Sequence, residues 1–170
     1  MGLRGRSLPI VRSIYTAVRA ESGVLLGSST VNRPRFHLAF PVFSLVDARV
    51  FFVDLLGCTE GRSASRWVDF DFFGHQLSAH LCEAPEASPA ENSVDGDRVP
   101  TRHFGLIMAW PEWEALRDKL VDKGASFAIE PKIRFRGRPG EQATMFVKGP
   151  SGNVLEFKAF RLQEDIFKAC

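Results

Sequence analysis

The chain has 170 residues, 45% hydrophobic and 25% charged, an ordinary globular composition of single-domain size and long enough to bury a core. Its net charge of +2 divides unevenly: residues 1–32 hold Arg4, Arg6, Arg12 and Arg19 against Glu21, or +3, so the remainder carries 2 − 3 = −1. That balance leaves no basic stripe for nucleic acid, and no run approaches the roughly 18 apolar residues of a membrane-spanning helix.

Residues 1–32 form a leader that is rich in Arg and Ser, poor in acid and broken by Gly and Pro. This suits a mitochondrial or plastid transit peptide, the alternative being a disordered extension of an intracellular, cytoplasmic chain. Arg6 stands where a myristoylation signal wants Ser or Thr. The folded domain is expected over 33–161. In module one (35–82), Phe36–Val42 alternates on a strand period, and Leu45–Leu56 has a helical period that stops at Gly57. Arg66–Phe73 alternates strongly, and Gly74-His75 turns the chain into a strand over Gln76–Leu81. The polar, acidic, Pro-rich stretch 83–100 reads as a linking loop. In module two (101–160) the pattern predicts a strand over 102–109, a helix over 111–123, a strand near Ser126–Ile129 and a loop over Pro131–Gly140. Strands over Gln142–Val147 and Asn153–Phe160 follow, separated by the turn Gly149-Pro150-Ser151-Gly152, and 162–170 is a short tail. Cys58, Cys82 and Cys170 make no CxxC pair and no zinc spacing, which fits reduced intracellular thiols; Cys58 reads as a small buried hydrophobe.

The two halves say the same thing. Phe36-His37-Leu38-Ala39-Phe40 leads through a helical stretch to Gly57, twenty residues after the histidine; His103-Phe104-Gly105-Leu106-Ile107 leads to Gly124, twenty-one residues after its own. Each half then reaches a glycine turn and a strand, Gly74-His75-Gln76-Leu77-Ser78 and Gly152-Asn153-Val154-Leu155-Glu156. The reading is α+β, with two tandem βαβββ modules, and a duplication of this kind fixes the fold class before any single element does. It also brings His37, His103 and Glu156 to related positions, the raw material of a metal site. Glu156 between Leu155 and Phe157 is costly to bury unless something pairs it.

These residues carry a family likeness. The chain from about Arg35 to Phe160 resembles the vicinal-oxygen-chelate superfamily of glyoxalases, bleomycin and fosfomycin resistance proteins and extradiol dioxygenases. The resemblance rests on the His37 strand, Ala48-Arg49-Val50-Phe51-Phe52 with Leu55-Leu56-Gly57, His103-Phe104-Gly105, and Gly149 to Phe157. Trp67–Leu81 with Gly140–Phe146 looks like the single-domain branch described as extradiol dioxygenases. Two positions depart from the family pattern: Gly149 where Asp is frequent, and Phe52 where Tyr is common.

The resemblance implies that the modules' sheets curl into a cup holding one divalent metal, whose ligands come from the first and last strands of each module. It implies a small-molecule substrate that chelates the metal through vicinal oxygens, and a homodimer. His37, His103 and Glu156 fall on three of the four ligand positions, the two-imidazole, one-carboxylate set that favours Fe(II), with Mn, Zn or Ni as alternatives. Counting from the glycine turns, Ser78 takes the fourth position, which points to three protein ligands and dioxygenase-like cleavage. A slip in that count brings His80 or Gln76 there instead, and with it a glyoxalase- or epimerase-type lyase or isomerase. A bleomycin-resistance-like binding protein is the third alternative. Gln76, Ser78 and His80 share a strand face, and His80 is suited to acid–base work. Arg134 in its loop, with Gln142, Thr144 and Phe146, is expected to meet the substrate. Arg136 and Glu141 lie nearby, and His75 reads as a structural turn residue.

Overall fold

The computed structural model describes residues 34–83, 91–94 and 96–168, with backbone alone for 91–94. The leader over 1–32 and Cys170 lie outside the described residues. Alternation makes the first strand: in β1 (His37–Val42) Leu38, Phe40 and Val42 join the core, and His37, Ala39 and Pro41 take the opposite face. Helix α1 (Leu45–Arg49) starts where the Ser44 side chain accepts the Asp47 N–H at 3.1 Å, and runs on without a break as a π-helical segment, Val50–Leu56. Gly57 ends it at φ 85°, a left-handed stop that glycine adopts without strain. Strands β2 (Thr59–Ala64), β3 (Trp67–Phe72) and β4 (His75–Leu81) complete the first module.

The polar sequence of β2 shows no alternation and so predicts no strand there. Pairing with β3 and the two-pronged Arg49–Glu60 ion pair, at 2.8 and 2.9 Å, hold it in place. The stretch 83–100 expected as a loop contains a hairpin instead, β5 (Glu91–Val94) and β6 (Asp97–Pro100). Its sequence lacks a hydrophobic period, and it is anchored from the Asp97 carboxylate to Lys132 and Arg134.

The second module repeats the first with β7 (Phe104–Ile107), α2 (Trp110–Asp122), β8 (Phe127–Arg134), β9 (Gln142–Lys148) and β10 (Val154–Phe160). A strand ending near Ile129 followed by a loop is corrected here: β8 runs through Pro131 to Arg134. It can do so because β8 is an edge strand whose register with β9 shifts between Ile129 and Lys132, so the missing proline N–H interrupts no regular ladder. A short 3₁₀ turn, Gln163–Phe167, occupies the tail.

Each module forms a four-stranded mixed sheet, ordered β1-β4-β3-β2 and β7-β10-β9-β8, with the first strand parallel to the last and the others antiparallel. One core serves both. Phe40, Phe52, Phe70 and Phe72 from module one form a continuous cluster with Trp113, Leu120, Met145 and Phe157 from module two. Phe72 meets Phe157 at 6.0 Å between ring centroids. Hydrogen bonds also cross: Lys119 Nζ donates to Leu56 O at 2.9 Å, Asn153 Nδ2 to Pro41 O at 2.9 Å, and Phe43 N–H to Ser151 Oγ at 2.7 Å. The apolar faces thus point into a shared core, and each sheet turns its other, more polar face outward. His37 opens the edge strand β1, and His103 directly precedes the edge strand β7.

Candidate functional site

The open face of sheet two gathers His103, Thr144, Glu156 and Lys158. His103 directly precedes β7, and its Nδ1 lies 2.6 Å from the carbonyl oxygen of Pro100 at the end of β6. A carbonyl only accepts, so Nδ1 carries the hydrogen and Nε2 keeps its lone pair in the neutral ring. The ring stands edge-on to Phe146, 5.1 Å between centroids. Nε2 comes within 3.4 Å of Glu156 Oε2. Lys158 Nζ is 3.3 Å from the same Oε2, and Thr144 Oγ1 donates to the other oxygen, Oε1, at 2.8 Å. Gly105 makes the approach of β7 to β10 feasible: it pairs with Glu156, and a Cβ there would run into the Glu156 backbone carbonyl.

The electrostatics follow from these contacts. The Glu156 hydrogen bond raises the His103 pKa, burial opposes that, and the Pro100 carbonyl adds to it. Burial pushes the Glu156 carboxyl up, but the His103 bond, the Lys158 charge and the Thr144 hydroxyl together hold it below the ordinary carboxylate range. A neutral imidazole lone pair facing a carboxylate at 3.4 Å is repulsive unless a positive species lies between them. A proton can fill that role, and so can a divalent ion: two neighbouring ligands bonded at about 2.1 Å stand roughly 3.0–3.4 Å apart. With Nδ1–H held by a backbone carbonyl and Glu156 oriented by Thr144, the pair fits a metal in its donor set and in its supporting bonds.

The open face of sheet one is built differently. Ser78 stands opposite Ala39 in β1, as Glu156 stands opposite Gly105 in β7, and His37 and His103 each lie two residues before those partners. Register thus gives the same equivalence of Ser78 and Glu156 as counting from the glycine turns. Ser78 is buried and its hydroxyl donates to Asp69 Oδ1 at 2.5 Å, while Gln76 Nε2 donates to Asp69 Oδ2 at 3.1 Å. Arg62 reaches the same Oδ2 at 3.4 Å. Gln76 and Ser78 are therefore committed to a buried carboxylate. Exposed His37 lines a cleft of about 370 Å³ with Arg62, Asp69, His75 and Gln76. Among the described residues no three His, Cys, Asp or Glu side chains gather closely enough to hold a metal ion, so one chain brings together His103 and Glu156 but not His37.

The remaining expected residues are distributed as follows. His80 is exposed on β4, paired with Pro41 and Trp67. Phe146 is buried with Val99, Ile129 and Val154, where it supports His103. Arg134 is not in a loop: it is buried at the end of β8 and bonds Asp97, while Gln142 is its register partner on β9. Thr144 orients Glu156. His75 opens β4, and its Nδ1 accepts the Phe36 N–H at 3.2 Å, a structural role. Glu141 pairs with Arg161. Sequence reasoning missed Asp69, Lys158, Lys132 and Asp97. Asp69 was countable, since the Phe73-Gly74 turn sets Phe72 against His75 and hence Asp69 against Ser78. Asp97 carried no signal, because the hairpin that presents it was itself illegible.

Residues 36–157 match the family model of the glyoxalase/bleomycin resistance protein/dioxygenase superfamily. The chain belongs to this superfamily. A superfamily protein from Alicyclobacillus acidocaldarius is similar at 32% identity, over 79% of this chain and 96% of that one, with a TM-score of 0.67. One from Nocardioides shares the fold at 18% identity, covering 84% and 93% of the two chains with a TM-score of 0.57. So does a fosfomycin resistance protein from Listeria monocytogenes, at 14% identity over 78% and 97%, with a TM-score of 0.57. No curated protein matches the chain. The paired βαβββ sheets are those of the superfamily, and the His103–Glu156 pair lies beside β7 and on β10, the first and last strands of the second module.

Proposed function

We propose that this superfamily member is a metal-dependent enzyme in which His103 and Glu156 of one chain and His37 of a second copy hold one divalent ion. The observation that carries the reading is the approach of an Nε2 lone pair to the Glu156 carboxylate, with both groups fixed from behind by Pro100 O and Thr144 Oγ1. His37 fits the third ligand because it is exposed at the start of an edge strand, and His103 stands beside the corresponding edge of module two. The bound ion supplies a Lewis acid with open positions for two vicinal oxygens of a small substrate and, as Fe(II), for dioxygen. The chain's own residues hold the ligand groups in place: Thr144 and Lys158 hold the Glu156 carboxylate, and Phe146 packs against the His103 ring. Ser78 donates to Asp69 and leaves no free carboxylate or imidazole at the fourth position, which favours three protein ligands and extradiol-type cleavage over glyoxalase-type isomerisation.

Metal content of the protein purified without added metal is the test. About one Fe or Mn per chain, lost in His103→Ala, supports the reading and leads to oxygen-uptake assays with catechols. Zinc or nickel would move the protein to the glyoxalase or epimerase class, and no metal even after anaerobic Fe(II) loading would refute the enzyme. Co-expressed His37→Ala and His103→Ala chains test the shared site. A mixed dimer keeps one intact site of two and recovers about half the metal, whereas ligands all from one chain predict no recovery.

A further inference from the structure

Two cations on the open face of sheet two share a single carboxylate. Lys132 Nζ and Arg134 Nη2 both bond Oδ2 of Asp97, the arginine at 2.5 Å, and Asp97 belongs to the β5–β6 hairpin and not to the sheet. Arg134 is 7% exposed, yet its Nε has no hydrogen-bond partner among the described residues, and neither has Oε1 of Gln142 opposite it. A guanidinium offers five N–H donors, and burying one is costly unless acceptors saturate them. Among the described residues two positive charges meet one negative here, which leaves a surplus charge and an unmatched donor. Asp97 and Lys132 keep side-chain exposures of 21% and 37%, which gives an anion a route in from solvent.

Placement ties this cluster to the His103–Glu156 pair. Lys132 pairs across the sheet with Thr144, whose hydroxyl donates to Glu156. Strand β8 is two strands from β10, roughly 10 Å across the sheet, within the span of a small molecule. We infer that Lys132 and Arg134 form an anion subsite for which Asp97 competes with a carboxylate or phosphate group of the substrate. This names the substrate class for the function proposed above, and rests on that reading only for where the substrate's other end lies. Exchanging one anion for another keeps both cations paired, and a doubly charged phosphate also neutralises the surplus that Asp97 leaves.

The test is calorimetric titration of the full chain with inorganic phosphate at low ionic strength, before and after treatment with a chelator. Asp97→Asn removes the competitor and is expected to tighten phosphate binding about tenfold, while Arg134→Gln abolishes it and Lys132→Gln weakens it about tenfold. A folded Asp97→Asn variant with unchanged or weaker binding would overturn the inference, because Asp97 would then be only the anchor of the hairpin. Should Arg134→Gln fail to fold, Lys132→Gln reads the subsite alone, and undiminished binding there would also overturn it. Metal content measured on the same preparations separates this result from the metal reading, since the chelated protein reports on the anion subsite whether or not a metal is native.

Discussion

Thr144→Val isolates the support that the candidate site gives to Glu156. The substitution nearly preserves volume and removes the donor that meets Oε1 at 2.8 Å. Thr144 is 1% exposed and the Glu156 side chain 14%, so water replaces the lost donor poorly. A hydrogen bond to a charged group contributes about 1.5–3 kcal/mol, and the partial exposure of Glu156 argues for the lower half, about 1.5–2 kcal/mol. For a domain of this size that is a fall in Tm of roughly 5 °C, read by thermal unfolding of chelated protein at pH 7. The sign with pH follows from the carboxyl being held below its ordinary value in the fold. Its share of stability is complete above the unfolded pKa, near 4.3, and is lost as the pH falls through the lower folded value. The gap between wild type and variant is therefore full at pH 7 and narrows as the pH falls below the unfolded value toward the lower folded one. Thr144→Ser keeps the donor and controls for packing. Equal melting temperatures for wild type and Thr144→Val at pH 7, or a gap that does not narrow at all as the pH is lowered from 7 to the acid limit of folding, would refute the reasoning.

Other outcomes follow from single contacts. Burial, reinforced by Asp71 and opposed by Lys119, pushes the Cys58 thiol up to about 12. Native protein alkylated at pH 8 and mapped by mass spectrometry is expected to be modified at Cys82 and at Cys58 only in denaturant; native labelling of Cys58 at the rate of Cys82 would contradict this. Gly105→Ala sets a methyl against the Glu156 carbonyl and forces β7 away from β10. It is expected to cost at least about 2 kcal/mol in urea unfolding, and an unchanged midpoint would show that the strands have room to spare.

The sequence makes legible whatever repeats or alternates. The doubled histidine-to-glycine spacing fixed the βαβββ pairs, and Gly57 marked a helix end that the backbone realises at φ 85°. The equivalence of Ser78 and Glu156 needed only counting, because a side chain's face is set by parity once the turn is known. What escaped depends on partners far along the chain. Strand β2 is polar and forms by pairing, and β8 passes through a proline that only an edge position tolerates. The β5–β6 hairpin is anchored by charges from β8, in a stretch without hydrophobic pattern. The histidines could be nominated from their spacing, but the hydrogen on Nδ1 of His103 is set by a backbone carbonyl, which carries no residue identity to read. That His37 stays apart from His103 in one chain is a matter of how two sheets share a core, and no local pattern encodes it.

The bonds that cross between the modules also bear on how the chain reaches its native state. Phe43 and Ser151 lie 108 positions apart, and Pro41 and Asn153 lie 112 apart, yet each pair is joined directly. Most of the folded length must be looped back before these contacts form, so their closure entropy is spent early and rewarded late. Because Phe72 and Phe157 bury each other in one core, separating the halves exposes both, and unfolding is expected as a single transition that takes both sheets together.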